Sequence, residues 1–291
     1  MLTSVVDTVL QGVLLGGLYT LFATGLSMAF GIMRMVNIAH GDFIVFAAYC
    51  ALVGVQATGV APLWMMIAVV PLLAVVGYVV QRLLFNPTLG PDIMPPLLVS
   101  FGMSVIIQNT LLEVFSADSQ RLQAEELVTA SIRLSDDLSI GWFPVLVLLI
   151  AIATIAALQW IAGHTALGRA FRATSDDQEI VRLMGIDNRH VYALAMAIAA
   201  AVIGISGILL GIGTTFDPAL GPSRLLFAFE VVIIGGMGSL WGTLAGGMIL
   251  GITQTIGFRV DPGWGGLFGH AAFLLVLLFR PRGLFPKTQG S

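Results

Sequence analysis

The residues whose types and spacing could do chemistry are concentrated between positions 163 and 190. Ser175 and Gln178, three residues apart, fit a capping box, in which the two side chains satisfy free backbone amides at a helix start. Arg182 in the last turn would complement the helix dipole, and Gly185 is placed to end the helix in a left-handed conformation. Two acidic residues favour the first turn: Asp176 and Asp177.

The predicted helix covers residues 176–184 and would be about 14 Å long at 1.5 Å per residue. A helix this short is marginal by itself in water, so it needs a packing partner. One interpretation is a surface helix that lies on the protein's own face. The other is a handle that docks in a groove of a second protein and passes force into the first. The apolar face available for either contact consists of Ile180, Leu183 and Met184.

A second polar group, Asn37, His40 and Asp42, lies at the junction of the first two apolar segments. The spacing favours a capping or turn role for Asn37 and Asp42, with His40 bonded to nearby backbone. Participation in a gate or in a contact with a partner is the alternative. A metal site needs three or four convergent ligands, and the four histidines show no ligand spacing. We therefore predict no metal site.

Glu230 is the one acid inside an apolar segment. A charge within hydrocarbon costs at least about 2.5 kcal/mol, so such a residue usually faces a bundle interior or a transport pathway. Solvation near the external interface is the alternative. Other polar side chains in the segments favour hydrogen bonds between helices over a polar path: Gln108, Asn109, Gln254 and His270. An external loop with Phe216, Asp217 and Arg224 could meet a solute-binding protein.

The chain lacks a nucleotide-binding motif of its own. A P-loop needs a lysine that reaches the phosphates after a glycine-rich loop, whereas the single lysine, Lys287, follows a proline. The glycines Gly235, Gly236 and Gly238 favour membrane packing, with a place in a gate or pathway as the alternative. The sequence predicts no cofactor, no catalytic centre and no nucleic-acid surface.

The composition requires that lipid cover most of the protein. Of 291 residues, 57% are apolar and 10% are charged, and the mean hydropathy is +0.97. A soluble domain would carry about 25% charge. The single cysteine, Cys50, leaves no disulfide framework. We predict an all-α, polytopic transmembrane helical bundle that forms one domain over residues 1–291.

A spanning helix needs about 20 mostly apolar residues. The N-terminus lacks the basic region and cleavage site of a signal peptide, so the first segment is expected to be retained. Glycine pairs at four-residue spacing, such as Gly12 and Gly16, favour close helix packing. The predicted segments are 8–32, 42–57, 61–84, 96–115, 141–161, 191–213, 225–258 and 264–280.

Arginine and lysine stay cytoplasmic in short loops. The stretch 163–190 and the tail 280–291 are rich in arginine, so both are predicted to be cytoplasmic, and the acidic stretch 116–140 to be external. The tail can be cytoplasmic only if the segment 225–258 returns to the side of the membrane from which it entered. Its centre, 235–247, is crowded with glycine. We predict a broken or re-entrant hairpin there, within seven to nine crossings, with two short tilted crossings as the alternative.

Four ordered stretches together resemble the permease subunits of branched-chain amino acid ABC transporters. They are GLSMAFGIMRMVNIAHGDFIVFAAY at Gly25–Tyr49, TALGRAFRATSDDQEIVRLMGIDNRHV at Thr165–Val191, VIIGGMGSLWGTLAGGMILG at Val232–Gly251 and LFRPRGLF at Leu278–Phe285. Importer permeases of this class carry a cytoplasmic loop with the pattern Glu-Ala-Ala and a later glycine. That register falls here on Glu179, Ile180, Val181 and Gly185, with both alanines replaced.

The resemblance implies that the short helix is the coupling helix of an inner-membrane importer. The implied coupling residues are Ser175, Asp176, Glu179, Ile180, Val181, Arg182, Leu183 and Gly185. The implied partners are cytoplasmic ATP-binding subunits, a second homologous permease or a second copy of this chain, and a periplasmic solute-binding protein. The substrate would be a branched-chain or related amino acid, with urea or an amide as the alternative. An ion-coupled transporter would have no use for the coupling helix.

Overall fold

The computed structural model describes residues 2–90, 92–135 and 138–285, and Lys287 lies outside them. The described residues are mostly helical, as predicted, and they include a short antiparallel hairpin in the polar stretch after α4. Its strands are β1 (Ser131–Ser135) and β2 (Leu138–Gly141). The helices are α1 (Leu2–Met33), α2 (His40–Thr58), α3 (Met66–Val80), α4 (Met94–Phe115), α5 (Glu125–Thr129), α6 (Trp142–His164), α7 (Ala166–Asp176), α8 (Gln178–Leu183), α9 (Asn188–Gly213), α10 (Gly221–Gly235), α11 (Leu240–Val260) and α12 (Gly265–Phe279).

The described helices confirm a polytopic membrane bundle. Six are long and apolar enough to cross a membrane: α1, α2, α4, α6, α9 and the continuous stretch Pro62–Phe85 that contains α3. The pair α10 and α11 passes the same test together but bends by 116° at the break between them. The remaining apolar helix, α12, has 15 residues. The predicted broken hairpin is therefore confirmed.

The interior of the bundle consists of α1, α9 and α2, which bury most of their surface within the chain. The outer helices α3, α4 and α6 leave large apolar side chains on the surface, including Ile67, Leu98 and Trp160. A soluble protein rarely exposes apolar patches of this extent. A surrounding bilayer accounts for them, because lipid tails are the solvent that these side chains match.

Helix α1 packs closely against α11. A β-carbon placed on Gly16 would lie 2.6 Å from the carbonyl oxygen of Gly247, and one on Gly251 would lie 2.2 Å from the carbonyl oxygen of Gly12. Only glycine permits this approach of two backbones. We call these four residues, Gly12, Gly16, Gly247 and Gly251, the glycine seam.

Two ends of the bundle are defined by α1. The C-terminal end of α1 meets α7 through Ser175, and meets the turn between α10 and α11 through Gly31 and Gly238. The tail joins this end, because the amide of Leu284 donates to the carbonyl of Ile234 at 2.9 Å. We call it the loop end. The predicted grouping of the basic loop and the tail on one side of the bundle agrees with this arrangement.

The other end holds the start of α1. Arg259, at the end of α11, is paired there with Asp7 and hydrogen-bonded to Ser4. The chain therefore runs along α11 from the loop end to the opposite end, and α12 brings it back to the tail. The segment 225–258 does return to the side from which it came. Only α11, with 21 residues, has the length of a spanning helix, because α10 has 15 residues and a span needs about 20.

Candidate functional site

The helix predicted over residues 176–184 is shorter than expected, and its cap is different. It is α8, Gln178–Leu183, and the preceding α7 runs through Ser175 to Asp176. Asp177 breaks the two helices with extended backbone, φ −149°. Its Oδ1 accepts a hydrogen bond from the amide of Ile180 at 3.1 Å, which is the N-cap interaction. The predicted capping box at Ser175 is therefore wrong, and Asp176 belongs to the last turn of α7.

Ser175 instead connects α7 to the end of α1. Its hydroxyl donates to the carbonyl of Gly31 at 3.0 Å, and Arg34 reaches the carbonyl of Ser175 at 3.5 Å. The carbonyl of Gly31 lies in the last turn of α1, where helix carbonyls have no intrahelical partner. Ser175 supplies one of the missing donors, so it positions α7 against the bundle.

The C-terminal end of α8 confirms the role predicted for Gly185. This glycine has a φ of +81°, in the left-handed region. Its amide donates to the carbonyl of Arg182 at 3.0 Å, and the amide of Ile186 donates to the carbonyl of Val181 at 3.3 Å. This hydrogen-bond pair is the Schellman motif. It fixes the direction in which the chain leaves α8.

The side chains of α8 divide into one anchor and an exposed apolar surface. Val181 is 3% exposed and packs into the protein, whereas Leu183 is 88% exposed. Ile180 and Met184, which were predicted to share the apolar face with Leu183, are also exposed. We call Ile180, Leu183 and Met184 the exposed apolar triad. Arg182 is exposed as well, and the side chain of Glu179 lies outside the described part of the chain.

The segment after α8 ties it to the bundle. Asn188, at the start of α9, donates to the carbonyl of Gln178 at 2.8 Å. Asp187 caps α9 by accepting from the amide of Arg189, and forms an ion pair with Arg82 at 3.3 Å. Burial raises the pKa of Asp187, but the hydrogen bonds from Arg189 and Arg82 together outweigh it, so the pKa is lowered. A displacement of α8 would thus be transmitted to α9 and to the helix that carries Arg82.

Asn37, His40 and Asp42 lie deep in the bundle. His40 Nε2 donates to the carbonyl of Phe22 at 2.7 Å, about two-thirds of the way along α1, so α2 begins inside the bundle. Asn37 accepts from the amide of Ala39 at 3.0 Å, which confirms the predicted turn role. Asp42 is not the N-cap of α2, and its carboxylate accepts from Gln108 on α4 at 2.9 Å. All three residues of this group are 2% exposed.

Glu230 is buried too, and the interpretation of a solvated side chain is wrong. It is 2% exposed on α10 and is paired with His270 on α12. A second polar contact lies beside this pair, where the hydroxyl of Tyr19 donates to Gln254 at 2.5 Å. The predicted interhelical hydrogen bonds are thus present for Gln254 and His270. Asn109, in contrast, bonds to a carbonyl of its own helix.

Arg224 belongs to α10 and lies beside Phe22 and Phe227, each ring centroid 6.0 Å from its guanidinium carbon. It was predicted in an external loop together with Phe216, which is fully buried against Tyr49. One sequence pattern could have placed Arg224 on the same helix as Glu230. Arg224, Phe227 and Glu230 are spaced by three, which places them close together along α10.

The three glycines proposed for a gate have packing contacts at the loop end. A β-carbon on Gly235 would lie 2.2 Å from the carbonyl oxygen of Gly242. Gly236 and Gly238 have positive φ and form the turn between α10 and α11. Among the residues that the structure describes, no three His, Cys, Asp or Glu side chains converge to hold a metal ion.

Comparison with known proteins gives a family match over most of the chain. The family model for the permease component of branched-chain amino acid transport systems matches residues 8–277. The chain is 28% identical to the high-affinity branched-chain amino acid transport system permease protein BraD of Pseudomonas aeruginosa, over 96% of this chain and 95% of that one.

The chain is also similar to two Escherichia coli proteins, LivH and LivM, which are both described as high-affinity branched-chain amino acid transport system permease proteins. LivH is 28% identical over 96% of this chain and 94% of its own length. LivM is 28% identical over a shorter region, which covers 42% of this chain and 29% of LivM.

Proposed function

The chain belongs to the family of permease components of branched-chain amino acid transport systems, and on this premise we propose that it is the membrane subunit of an ATP-driven importer for branched-chain or related amino acids. The described helices supply a body that lipid can surround. The sequence has no P-loop lysine, so the ATP-hydrolysing subunits are separate chains. The permease itself transforms no substrate and needs no cofactor.

We assign the docking of the ATP-hydrolysing subunit to α8. The observation that carries this assignment is the exposed apolar triad on a helix of six residues. Apolar side chains that are exposed together in one patch are typical of protein contacts. Val181, Gly185 and the cap at Asp177 hold α8 rigid, so a push on the triad moves the chain on either side of it.

The coupling route starts from the two neighbours of α8. On one side, Asn188 and Asp187 connect it to α9 and Arg82. On the other side, α7 is tied through Ser175 to the end of α1. ATP binding would therefore shift the end of α1 and the start of α9, both at the loop end. A partner that binds one permease conformation more tightly shifts the population toward it.

The remaining partners follow from the family. LivH and LivM are two different permease proteins with the same transport-system description, which supports a pair made of this chain and a homologue, with a self-pair as the alternative. We place the loop end in the cytoplasm, because its short loops carry the arginines. A solute-binding protein would then meet the opposite end, around β1 and β2, on the periplasmic side of the inner membrane.

The test is reconstitution. The chain is co-expressed with candidate ATP-hydrolysing, permease and solute-binding chains, purified and placed in proteoliposomes. We expect leucine uptake that requires ATP and all the partners. Uptake driven by an ion gradient without ATP would contradict the proposed function. Labelling of the Leu183→Cys variant only from outside intact cells would contradict the orientation.

A further inference from the structure

An apolar cavity lies at the loop end, where α1, α6, α7 and the start of α11 meet. Its volume is about 90 Å³, several times the roughly 10–15 Å³ that one water molecule needs. Its walls include Met28 and Ile32 of α1, Leu158 and Ile161 of α6, and Phe171 of α7. We call it the loop-end cavity. A cavity with apolar walls stays dry and takes up apolar groups instead of water.

One charged residue, Arg172 of α7, lines the cavity and is exposed at its rim. Its guanidinium donates a hydrogen bond to the carbonyl of Ala162, near the end of α6, which fixes its position there. Among the residues that the structure describes, it forms no other hydrogen bond and no ion pair. An arginine has five N–H donors in a planar fork that fits a phosphate, so most of them remain available to an anion.

The cavity lies at the level where lipid headgroups meet acyl chains. Two exposed tryptophans adjoin its lining residues: Trp160 precedes Ile161 on α6, and Trp241 follows Leu240 on α11. Tryptophan is enriched at the interface between membrane and water. The end of α1 at Met33 lies at the same level. A lipid of the surrounding bilayer therefore has its phosphate near the depth of the rim and its chains near the depth of the walls.

The surroundings of the rim are basic. Arg169 lies one turn before Arg172 on α7 and is exposed. Arg282 is exposed in the tail beside Gly283, which packs against Gly236 in the turn that borders the cavity. Basic pockets between membrane helices bind anionic lipid headgroups. A phospholipid with a net negative charge therefore matches this rim better than a zwitterionic one.

From the apolar walls, the arginine at the rim and the depth of the cavity, we propose that the loop-end cavity is a binding site for one anionic phospholipid. Arg172 binds the phosphate, and the first part of one acyl chain fills the space between α1, α6 and α7. The bound lipid holds α7 in place just before it leads into α8. This site goes beyond the proposed function, because it requires only that the chain spans a bilayer.

The first experiment measures the lipid selectivity of the full-length permease. The delipidated protein in detergent is titrated with phosphatidylglycerol or phosphatidylethanolamine that carry identical acyl chains, and bound lipid is counted by native mass spectrometry. The wild type should bind the first phosphatidylglycerol at least about fivefold more tightly. Arg172→Gln should reduce this preference to within about twofold, whereas Arg172→Lys, which keeps the charge, should retain most of it.

The matched control is Arg189→Gln, which removes the same charge from an exposed position of the loop end that does not line the cavity. This variant should bind phosphatidylglycerol like the wild type. An equal loss of preference in the variants of Arg172 and Arg189 would reduce the effect to the general charge of this end and overturn the site. Equal binding of the two lipids by the wild type would overturn it as well.

The second experiment tests the acyl chain. Ala162→Leu adds bulk to the cavity wall and should weaken phosphatidylglycerol binding at least about fourfold, the factor for one methylene kept out of an apolar site. Ala153→Leu, at an exposed position of α6 outside the cavity, is the control and should bind normally. Should Arg172→Gln not assemble, this pair of variants decides the question.

Two other occupants of the cavity give different results. Millimolar inorganic phosphate should not displace the lipid, because it lacks an acyl chain. Displacement by phosphate, with equal binding by the variants of Ala162 and Ala153, would identify a site for free anions and overturn the lipid site. If Arg172→Gln lost its association with the ATP-hydrolysing subunit but kept its lipid preference, the rim would be a partner contact instead.

Discussion

A β-carbon at Gly41 would lie 2.0 Å from the carbonyl oxygen of Gly221. The first turns of α2 and α10 thus meet backbone to backbone in the interior. A β-carbon at position 221 would in turn lie 2.0 Å from Asp42 Oδ1. This crossing holds the buried start of α2 against the helix that carries Arg224 and Glu230.

Gly41→Ala should destabilise the protein strongly. Overpacking by a methyl group typically costs about 1–3 kcal/mol, and here the obstructing atom belongs to backbone. Thermal unfolding of the purified permease in detergent measures the effect. Gly102→Ala on α4, where an added β-carbon meets no atom within 4 Å, should unfold like the wild type. Equal unfolding of the two variants would contradict the close crossing.

Gly185→Val should disrupt the end of α8 while the bundle still inserts. A left-handed residue other than glycine costs about 1–2 kcal/mol, and a β-branched one more. We expect ATP-dependent uptake to be lost, whereas membrane insertion, followed by surface labelling, is retained. Gly90→Val, at a loop glycine with open space around it, is the control and should transport normally.

Leu183→Asp tests the exposed apolar triad directly. The side chain is 88% exposed, so the substitution should leave the stability of the isolated permease within about 0.5 kcal/mol. Loss of an apolar contact with the ATP-hydrolysing subunit should weaken their co-purification at least about tenfold. Val60→Asp, an exposed apolar position beyond α2, is the control. Retained association of the Leu183 variant would remove α8 from the docking surface.

Two substitutions of Asp187 distinguish its role as the N-cap of α9 from its ion pair with Arg82. Asp187→Asn keeps a capping oxygen but loses the charge that pairs with Arg82, and both side chains of that pair are partly exposed. We expect a small loss of stability, below about 1 kcal/mol. Asp187→Ala also removes the cap of α9 and should cost about 1 kcal/mol more. Thermal unfolding of both variants measures the difference.

The pH dependence of the Asp187→Asn variant follows from the lowered pKa of Asp187. The charged carboxylate contributes fully above the ordinary aspartate pKa of about 3.9, and its contribution is lost as pH falls through the lowered value. The wild type should therefore have a higher free energy of unfolding than the asparagine variant at neutral pH. In strong acid the two free energies of unfolding should be equal. A difference that grows on acidification would contradict this sign.

The sequence predicted the left-handed end of α8 because only residues within one turn determine it. Gly185, Arg182 and Val181 supply all the backbone groups of the motif. The cap at the other end was mistaken for a related reason. Ser175 and Asp177 both fit an N-cap locally, and the choice was made by the carbonyl of Gly31, which is 144 residues away from Ser175.

The interior polar contacts could not be predicted from local sequence patterns, because they too join residues that are far apart in the sequence. The bond from His40 to the carbonyl of Phe22 depends on how deep the chain between α1 and α2 returns into the bundle. Arg224 was assigned to a loop, because a charge beside an apolar run normally marks its boundary. The aromatic rings that surround it come from α1 as well as α10, so the burial appears only once these helices are packed.

The glycine seam limits how this protein can change shape. Where side chains lie between two helices, they can change rotamers when the helices shift. Backbone atoms in direct contact cannot adjust in this way. Helices α1 and α11 must therefore move together as one rigid body. In the proposed transport cycle, helices can move relative to one another only at contacts where side chains intervene.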